Sequence, residues 1–416
     1  MRNEITQQKR DSKKKYYASY FERNKQKSSE IWKGIRSLVN IKTSKFSCIK
    51  LLDSNDNLIS DPKKISIKFN NYFSNIGPNI ALRIPVAPGN FRDYFMKKDK
   101  NGKAIINPSN CSFFLVATTP FEVDKLIDGL DMNKSTGPNS IPVFILKLLK
   151  PFFSYWLSEL INPYFVVGIF PDILKIAKVT PLHKKECNLN FLNYRLISLL
   201  SVFSKIFEKT VYTRIYTYLV NNNFIFEKQF GFRSKYSTNH ALLSITERIK
   251  ELVDGGNYVC GVFVDLEKAF DTVNHSLLCE KLKYYGLRGN INLLIQSYLT
   301  NRYQFVSING FNSDLRGLEC GVPQGSSLGP LLFLIYINDF YLCLNKTEGG
   351  HFADDTFIMY ASTKLATIQT VVNHELKLVL QWLRLNKLSL NAGKTELIFF
   401  RSKQHSLNYN DISIKI

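Results

Sequence analysis

An apolar run that ends in one acidic residue constrains the fold of this chain more than any other feature. Residues 258–264 read Tyr-Val-Cys-Gly-Val-Phe-Val, and Asp265 follows them directly. A run of this length, rich in β-branched and aromatic residues, is typical of a buried β-strand. A carboxylate at the end of such a strand is costly to desolvate unless a cation binds it. The sequence therefore predicts a cation site, such as a metal ion site, at the end of this strand.

Two adjacent acids form the second constraint. Asp354 and Asp355 lie in the middle of residues 349–360, Gly-Gly-His-Phe-Ala-Asp-Asp-Thr-Phe-Ile-Met-Tyr, with apolar residues on both sides. This pattern predicts a β-hairpin whose tight turn carries the two carboxylates. Alone, an Asp-Asp turn is usually only solvated, because Asp forms local hydrogen bonds in turns. Combined with Asp265, the pair has the oxygen ligands that two Mg²⁺ ions prefer, and two such ions catalyse phosphoryl transfer.

The chain of 416 residues is strongly basic. Lys and Arg number 55 against 34 Asp and Glu, which gives a net charge of +21. A polyanion such as a nucleic acid is the natural partner of this surface, although solvated side chains explain the charge equally well. The seven cysteines are scattered without a Cys-x-x-Cys pair. Their arrangement argues against a zinc site or a disulfide framework and favours a reducing compartment.

The chain begins polar and basic, without an apolar signal segment. We therefore expect an intracellular protein, nuclear or cytoplasmic, and not a secreted one. The most apolar stretch, residues 331–337, is far shorter than the roughly 20 residues of a membrane span. This stretch is expected to be a buried helix, and no membrane partner is expected.

The pattern along the chain indicates separate regions. Residues 1–40 combine Lys and Arg with aromatic residues, and either an RNA-contacting helix or a solvated helix with its aromatic side chains on the main body explains them. Residues 65–76 have apolar residues at helical spacing, and Gly77-Pro78 is expected to end that helix. Pro, Gly, Asn and Lys from about 80 to 110 indicate a linker. Helices then alternate with short strands, which indicates an α+β or α/β class.

The carboxylate segments resemble the A and C motifs of reverse transcriptases. Residues 265–271 have the form Asp-x-x-Lys-Ala-Phe-Asp and residues 352–355 the form Phe-Ala-Asp-Asp, typical of non-LTR (LINE-type) retrotransposons. Residues 321–333, Gly-Val-Pro-Gln-Gly-Ser-Ser-Leu-Gly-Pro-Leu-Leu-Phe, resemble the B motif, with Ser326 or Ser327 expected to cap a helix. Further segments resemble the fingers (175–185, 193–200 and 229–233), the D motif (381–395) and the connecting region of jockey-like elements (68–77 and 130–138).

The resemblance implies an α+β right-hand polymerase fold: an antiparallel palm sheet with flanking helices, fingers and a mostly helical N-terminal extension. The expected domains are a basic helical extension and linker (1–110), connecting helices (111–160), a reverse transcriptase domain of fingers and palm (161–405) and the start of a truncated C-terminal region (406–416). A thumb is expected to be largely absent. The family has Pro where this chain has Leu196.

The resemblance also implies roles for individual residues. Two metal ions, Mg²⁺ with Mn²⁺ able to substitute, would be bound by Asp265, Asp354, Asp355 and, through its backbone carbonyl, Leu266. Phe270 would exclude a ribose 2′-hydroxyl, and Lys394 would protonate the departing pyrophosphate. The other residues implied to contact the deoxynucleotide are Ala269, Gln324, Gly325, Arg195 and Lys185, and those implied to contact nucleic acid are Gln229 and Arg233.

The expected activity is RNA-directed DNA polymerisation, with an RNA template, a DNA primer and deoxynucleoside triphosphates as partners. A truncated, catalytically inactive RNA-binding fragment of such an element is the alternative, since no thumb is evident. An intron-encoded maturase is a further alternative. Residues 326–330, Ser-Ser-Leu-Gly-Pro, and the Phe352-Ala353 pair favour the retrotransposon type over the maturase.

Overall fold

Two units make up the chain, residues 1–49 and residues 50–416. The computed structural model describes residues 2–25, 28–38, 49–52, 57–97, 112–184, 187–403 and 412–415. The helices in these residues are α1 (Arg2–Arg23), α2 (Ser28–Leu38), α3 (Pro62–Arg83), α4 (Arg92–Phe95), α5 (Pro120–Asp128), α6 (Val143–Leu148), α7 (Lys150–Val167), α8 (Val202–Asn221), α9 (Thr238–Asp254), α10 (His275–Tyr284), α11 (Asn290–Leu299), α12 (Gly329–Ile337) and α13 (Leu365–Leu385). The strands are β1 (Leu51–Leu52), β2 (Leu58–Ile59), β3 (Ile176–His183), β4 (Tyr194–Leu199), β5 (Tyr258–Val264), β6 (Arg302–Ile308), β7 (Phe311–Asn312), β8 (Arg316–Leu318), β9 (Glu348–Phe352), β10 (Asp355–Ser362) and β11 (Glu396–Phe400).

In the first unit, α1 and α2 pack through aromatic side chains. The hydroxyl of Tyr20 on α1 donates a hydrogen bond to Oε2 of Glu30 on α2 at 2.8 Å. Gly34 of α2 lies against the rings of Tyr20 and Phe21, where a Cβ atom would come within 2.6 Å of the Tyr20 ring. Some aromatic residues of the basic segment therefore hold α1 against α2, while Tyr16 remains 58% exposed.

A four-stranded antiparallel sheet in the second unit has the order β11-β5-β10-β9. β5 covers the predicted apolar run, and β9 and β10 form the predicted hairpin. Asp355 pairs with Phe352, which leaves only Ala353 and Asp354 in the hairpin loop. Because β5 and β10 each have a hydrogen-bonded strand on both sides, the backbone that leads to Asp265 and to the hairpin loop is firmly held.

A second sheet has the order β4-β3-β6-β7, with β8 also beside β6. β3 and β6 run parallel, and the other pairs are antiparallel. Arg195 on β4 is exposed between the buried side chains of Tyr194 and Leu196, as the alternation of a half-buried strand requires. Leu196 pairs with Pro181 inside this strand, so the position where the family has Pro continues the strand here.

Helix α12 is buried in the core of the second unit. All seven residues of 331–337 are apolar, and none is more than 3% exposed. The prediction of a buried helix for this stretch is confirmed, and none of the helices among the described residues is long and apolar enough to span a bilayer. Oγ of Ser326 accepts a hydrogen bond from the N–H of Gly329, the first helical residue, at 2.9 Å. The residue at the N-cap position is Leu328, so neither Ser326 nor Ser327 is the N-cap that the sequence predicted.

The prediction that Gly77-Pro78 ends a helix is wrong. α3 continues through both residues to Arg83, with Ile76 and Ile80 buried on the same side. Packing of this apolar face against the second sheet outweighs the backbone hydrogen bond that Pro78 cannot donate. Gly77 allows α3 to lie directly against the backbone of Asp271, since a Cβ atom at this position would lie 2.3 Å from the backbone oxygen of Asp271.

Candidate active site

The three predicted acids meet at one end of the four-stranded sheet. Thr356 pairs with Val264 across β10 and β5, and Asp355 and Asp265 are the next residue on each strand. Continuing the antiparallel register by one residue places these two aspartates opposite each other. Asp354 precedes Asp355 in the hairpin loop. Sequence reasoning thus identified three acids that the fold brings to the same end of two paired strands.

Two of the acids have shifted acid–base behaviour. Burial raises the pKa of Asp355 above its ordinary value, and the negative charge of Asp265 raises it further. The pKa of Asp354 is also raised, chiefly by burial, and the charges of Asp355 and Asp265 contribute, while Arg195 opposes the shift. Each carboxylate therefore resists ionisation because a like charge lies nearby in a poorly solvated place. A divalent cation would remove this repulsion.

The donor set fits a divalent metal ion in its chemistry, because three carboxylates supply the hard oxygen ligands that Mg²⁺ binds. Within the described part of the chain, no three His, Cys, Asp or Glu side chains are already gathered closely enough to hold an ion. Oδ2 of Asp265 accepts a hydrogen bond from Nδ2 of Asn391 at 2.8 Å.

Residues 389–395 hold Asp265 in place. The backbone N–H of Asn391 donates to the carbonyl of Asp265 at 2.9 Å, and the N–H of Asp265 donates to Oγ1 of Thr395 at 3.3 Å. Leu266 lies opposite Leu390 in an antiparallel bridge. The two hydrogen bonds that flank this pair join Asn391 to the carbonyl of Asp265 and Glu267 to the carbonyl of Ser389, so neither of them uses the carbonyl of Leu266. Asn391 and Thr395 were missed by the sequence reasoning. Their only signal was their place in the segment that resembles the D motif.

Basic side chains converge beside the acids. Burial lowers the pKa of Lys184, and the positive charges of Arg195, Lys394 and Lys268 lower it further. The pKa of Lys268 is likewise lowered, chiefly by burial and also by Lys394 and Arg195. These four side chains repel one another, so an anion bound among them would be stabilised. Lys268 had no role in the sequence prediction, and Lys185 lies outside the described residues.

The predicted B motif lies against β4. The N–H of Ser198 donates to the carbonyl of Gln324 at 2.8 Å, and Nε2 of Gln324 donates to Oδ1 of Asp271 at 2.8 Å. Gly325 is exposed with a φ of +123°, and a Cβ atom there would lie 2.6 Å from the carbonyl oxygen of Ser198. Only glycine fits this backbone. The segment is thus fixed to the strand that carries Arg195.

Phe270 lies between two other aromatic rings. It stacks on Phe333 of α12 at 4.5 Å between ring centroids and meets the edge of Phe232 at 6.0 Å. The ring is half-buried, so one part of it remains accessible. Ala269 is different, because only 2% of it is exposed. The expectation that Ala269 contacts the nucleotide therefore requires correction, since its side chain packs in the core.

Gln229 requires a similar correction. Only 2% of this residue is exposed, which leaves no surface for a nucleic acid. Its Oε1 instead accepts hydrogen bonds from the N–H groups of Gly231 and Ala353. Nη1 of Arg233 donates to the carbonyl of Gln229 at 3.0 Å, and its guanidinium lies 4.1 Å from the Tyr236 ring. Arg233 therefore holds this segment together, a role that the sequence did not indicate.

Comparison with known proteins places these features in a family. Residues 182–410, over half of the chain, match the family described as reverse transcriptase (RNA-dependent DNA polymerase). The chain belongs to the reverse transcriptase family. All three aspartates lie within the matched residues, and members of this family generally use divalent metal ions.

The curated relatives of this reverse transcriptase chain come from retrotransposons. It is 29% identical over 308 residues to the RNA-directed DNA polymerase from mobile element jockey of Drosophila melanogaster, which covers 72% of the chain and 34% of the relative. It is 30% identical over 289 residues to the probable RNA-directed DNA polymerase from transposon BS of the same species, which covers 66% and 31%. The predicted likeness to non-LTR, jockey-like reverse transcriptases is confirmed. The chain spans about a third of the length of these relatives.

Proposed function

We propose that this chain is the RNA-directed DNA polymerase portion of a non-LTR retrotransposon protein. It would extend a DNA primer with deoxynucleoside triphosphates on an RNA template. The observation that carries the proposal is the meeting of three aspartates at the end of the four-stranded sheet, beside four basic side chains. Membership of the reverse transcriptase family supports the same assignment.

In this proposal the sheet β11-β5-β10-β9 is the palm, and the sheet that contains β3 and β4 belongs to the fingers. The reverse transcriptase domain covers residues 161–405, preceded by connecting helices at 111–160 and by the basic extension and linker at 1–110. The antiparallel pairing of β5 with β10 supports the palm assignment, because it joins the strand that leads to Asp265 to the hairpin with the other two acids.

Asp265, Asp354 and Asp355, with the carbonyl of Leu266, would hold two Mg²⁺ ions, for which Mn²⁺ can substitute. Bound there, the ions would lower the pKa of the primer 3′-hydroxyl and stabilise the leaving pyrophosphate. Asn391 and Thr395 hold the backbone of Asp265 in place, so that its carboxylate would be available as a ligand of the ion.

The basic cluster would bind the triphosphate. Arg195 and Lys184, together with Lys268, would neutralise phosphate charge that otherwise opposes attack by the 3′-hydroxyl. Lys394 is exposed beside them and would donate a proton to the pyrophosphate. Lys185 is proposed as a further phosphate contact.

The sugar and base would lie near Phe270 and the B motif. The accessible part of the Phe270 ring, held by Phe333 behind it, would leave no room for a 2′-hydroxyl and so favour deoxynucleotides. Gly325, exposed and without a side chain, would let the incoming nucleotide approach the backbone closely. Gln324, fixed through Asp271, would line the same place.

Primer extension on a poly(rA)/oligo(dT) duplex with Mg²⁺ tests the proposal. We expect Asp265→Asn and Asp354→Asn each to lower kcat by on the order of 10³-fold, because the metal ligands and their charge are lost. Asp254→Asn, an exposed acid at the end of α9, is the matched control and should retain full activity. Filter binding of RNA runs in parallel. Binding of RNA without extension by the unsubstituted chain would instead support an inactive RNA-binding fragment.

A further inference from the structure

Residues 228–231 lie along β9 and reach the loop of the acidic hairpin. The N–H of His351 donates to the carbonyl of Lys228, and the N–H of Phe230 donates to the carbonyl of His351, both at 2.8 Å. Gln229 thus forms a parallel bridge with His351. This segment comes from more than a hundred residues earlier in the chain, yet it binds the backbone just before the two adjacent aspartates.

The side chain of Gln229 extends this contact to the hairpin loop itself. Its Oε1 accepts from the N–H of Ala353 at 3.0 Å and from the N–H of Gly231 at 2.9 Å. Ala353 is the first loop residue and is followed directly by Asp354. One buried amide oxygen therefore joins the segment to the loop that carries a candidate metal ligand.

The geometry of the loop explains why such support is needed. Ala353 has a φ of +61°, a conformation that is costly for a residue with a Cβ atom. Gly231 lies so close that a Cβ atom there would be 2.2 Å from the nitrogen of Ala353. The hydrogen bond from Ala353 to Gln229 offsets the cost of this backbone conformation, and the absence of a side chain at Gly231 makes the contact possible.

We infer that Gln229 is a positioning residue that orients the Asp354–Asp355 pair for metal binding through the backbone of Ala353. The inference rests on the proposed two-metal function and adds a residue to it. Groups that orient metal ligands without touching the metal typically change metal affinity or activity by about 10–100-fold when they are removed. Gln229 does not reach the substrate, because it is buried beneath the loop.

Gln229→Met tests the inference, since methionine has a similar length but a much weaker acceptor in place of Oε1. We expect the dissociation constant for Mn²⁺ alone, measured by electron paramagnetic resonance on the full chain, to rise about 10-fold or more. We expect kcat for primer extension to fall by about the same factor, while the KM for the deoxynucleotide stays unchanged. Hydrogen exchange at the amide of Ala353 should become faster, because its acceptor is gone.

Gln304→Met is the matched control. Gln304 is also almost fully buried, at 1% exposed, but it lies on β6 of the second sheet, and its Nε2 donates to Oδ1 of Asn70 on α3. The same substitution there should leave Mn²⁺ affinity and kcat unchanged. Gly231→Ala is a second test variant, because its added Cβ atom would displace Ala353 without changing any polar group. Gly231→Ala should weaken Mn²⁺ binding and lower kcat, as Gln229→Met should.

The outcomes separate this inference from the proposed function. Weaker Mn²⁺ binding by Gln229→Met in a chain that does not extend primers would support the positioning role and contradict the polymerase proposal. Active polymerase with unchanged Mn²⁺ affinity and kcat in Gln229→Met would overturn the positioning role alone. Equal losses in Gln304→Met, loss of the folded state in Gln229→Met, or no Mn²⁺ binding by the unsubstituted chain would also overturn it.

Discussion

Asp271 shows how its surroundings change the acid–base behaviour of one side chain beside the acids. Burial raises its pKa to about 6 from an ordinary value of 3.8, although the hydrogen bond from Gln324 and the charge of Lys268 act in the opposite direction. Because the folded-state pKa is the higher one, the folded chain retains a proton between these values that the unfolded chain has released. The stability that this proton contributes is present below about pH 4 and is lost as the pH rises through about 6.

Replacing Asp271 by Asn should remove this pH dependence. Asparagine retains the Oδ1 acceptor for Gln324 but carries no charge at any pH. We expect the variant to be more stable than the unsubstituted chain at pH 7.5 by about 1–2 kcal/mol, a figure reduced for partial exposure of the side chain. Urea unfolding at pH 4.5, 6 and 7.5 measures this difference. An unchanged pH dependence in Asp271→Asn, or an equal change in the exposed control Asp254→Asn, would contradict the assignment of the shift to Asp271.

The residue scale also shows what the sequence could predict at the site. Asp265, Asp354 and Asp355 were predicted together, because a strand end and a hairpin turn are local patterns. Gln229 and Asn391 could not be assigned in this way. The side-chain amide of Gln229 is hydrogen-bonded to Ala353 and that of Asn391 to Asp265, in each case over a hundred positions away in the chain. No local sequence pattern predicts such a contact.

At the scale of elements, α3 shows tertiary packing overriding a local signal. Gly77-Pro78 would ordinarily end a helix, yet α3 continues through it with its apolar face on the second sheet. At the start of α5, by contrast, local interactions suffice: Oγ1 of Thr119 accepts a hydrogen bond from the N–H of Glu122, and Pro120 lies in the first turn. The sequence therefore predicted the buried helix α12 correctly, but it could not predict where α3 ends.

Pro78→Ala should stabilise the protein. Alanine restores the N–H that can donate to the preceding helical turn and removes the ring that crowds it, a gain that should exceed the added entropy of the unfolded chain by about 1–2 kcal/mol. Pro62→Ala in the same helix is the control. Pro62 lies in the first turn, where no N–H is needed, so its replacement should destabilise by about 0.5–1 kcal/mol. Urea midpoints measure both. A loss of stability in Pro78→Ala as large as in Pro62→Ala would mean that packing of the Pro78 ring matters more than the hydrogen bond.

At the scale of the whole molecule, the positive charge per residue is highest in the first unit. Residues 1–49 contain thirteen Lys and Arg residues against four Asp and Glu. Lys13, Lys14 and Lys15 on α1 are all exposed. The sequence left RNA contact and simple solvation as equal explanations for this segment. Because several of its aromatic side chains serve the contact between α1 and α2, exposed lysines are the groups left to bind phosphate.

Replacing Lys13, Lys14 and Lys15 together by alanine should weaken binding of single-stranded RNA. Each phosphate contact to a single strand contributes about −0.7 to the slope of log affinity against log salt concentration. Losing up to three contacts should therefore make this slope less negative by up to about 2. Filter binding to poly(rA) between 50 and 200 mM KCl would measure the slope, with kcat for primer extension expected to stay unchanged. Alanine at Lys250, Lys364 and Lys377, exposed lysines of the second unit, provides the control. An equal decrease in both triple variants would assign the effect to net charge alone, whereas a decrease confined to α1 would identify α1 as an RNA-binding surface.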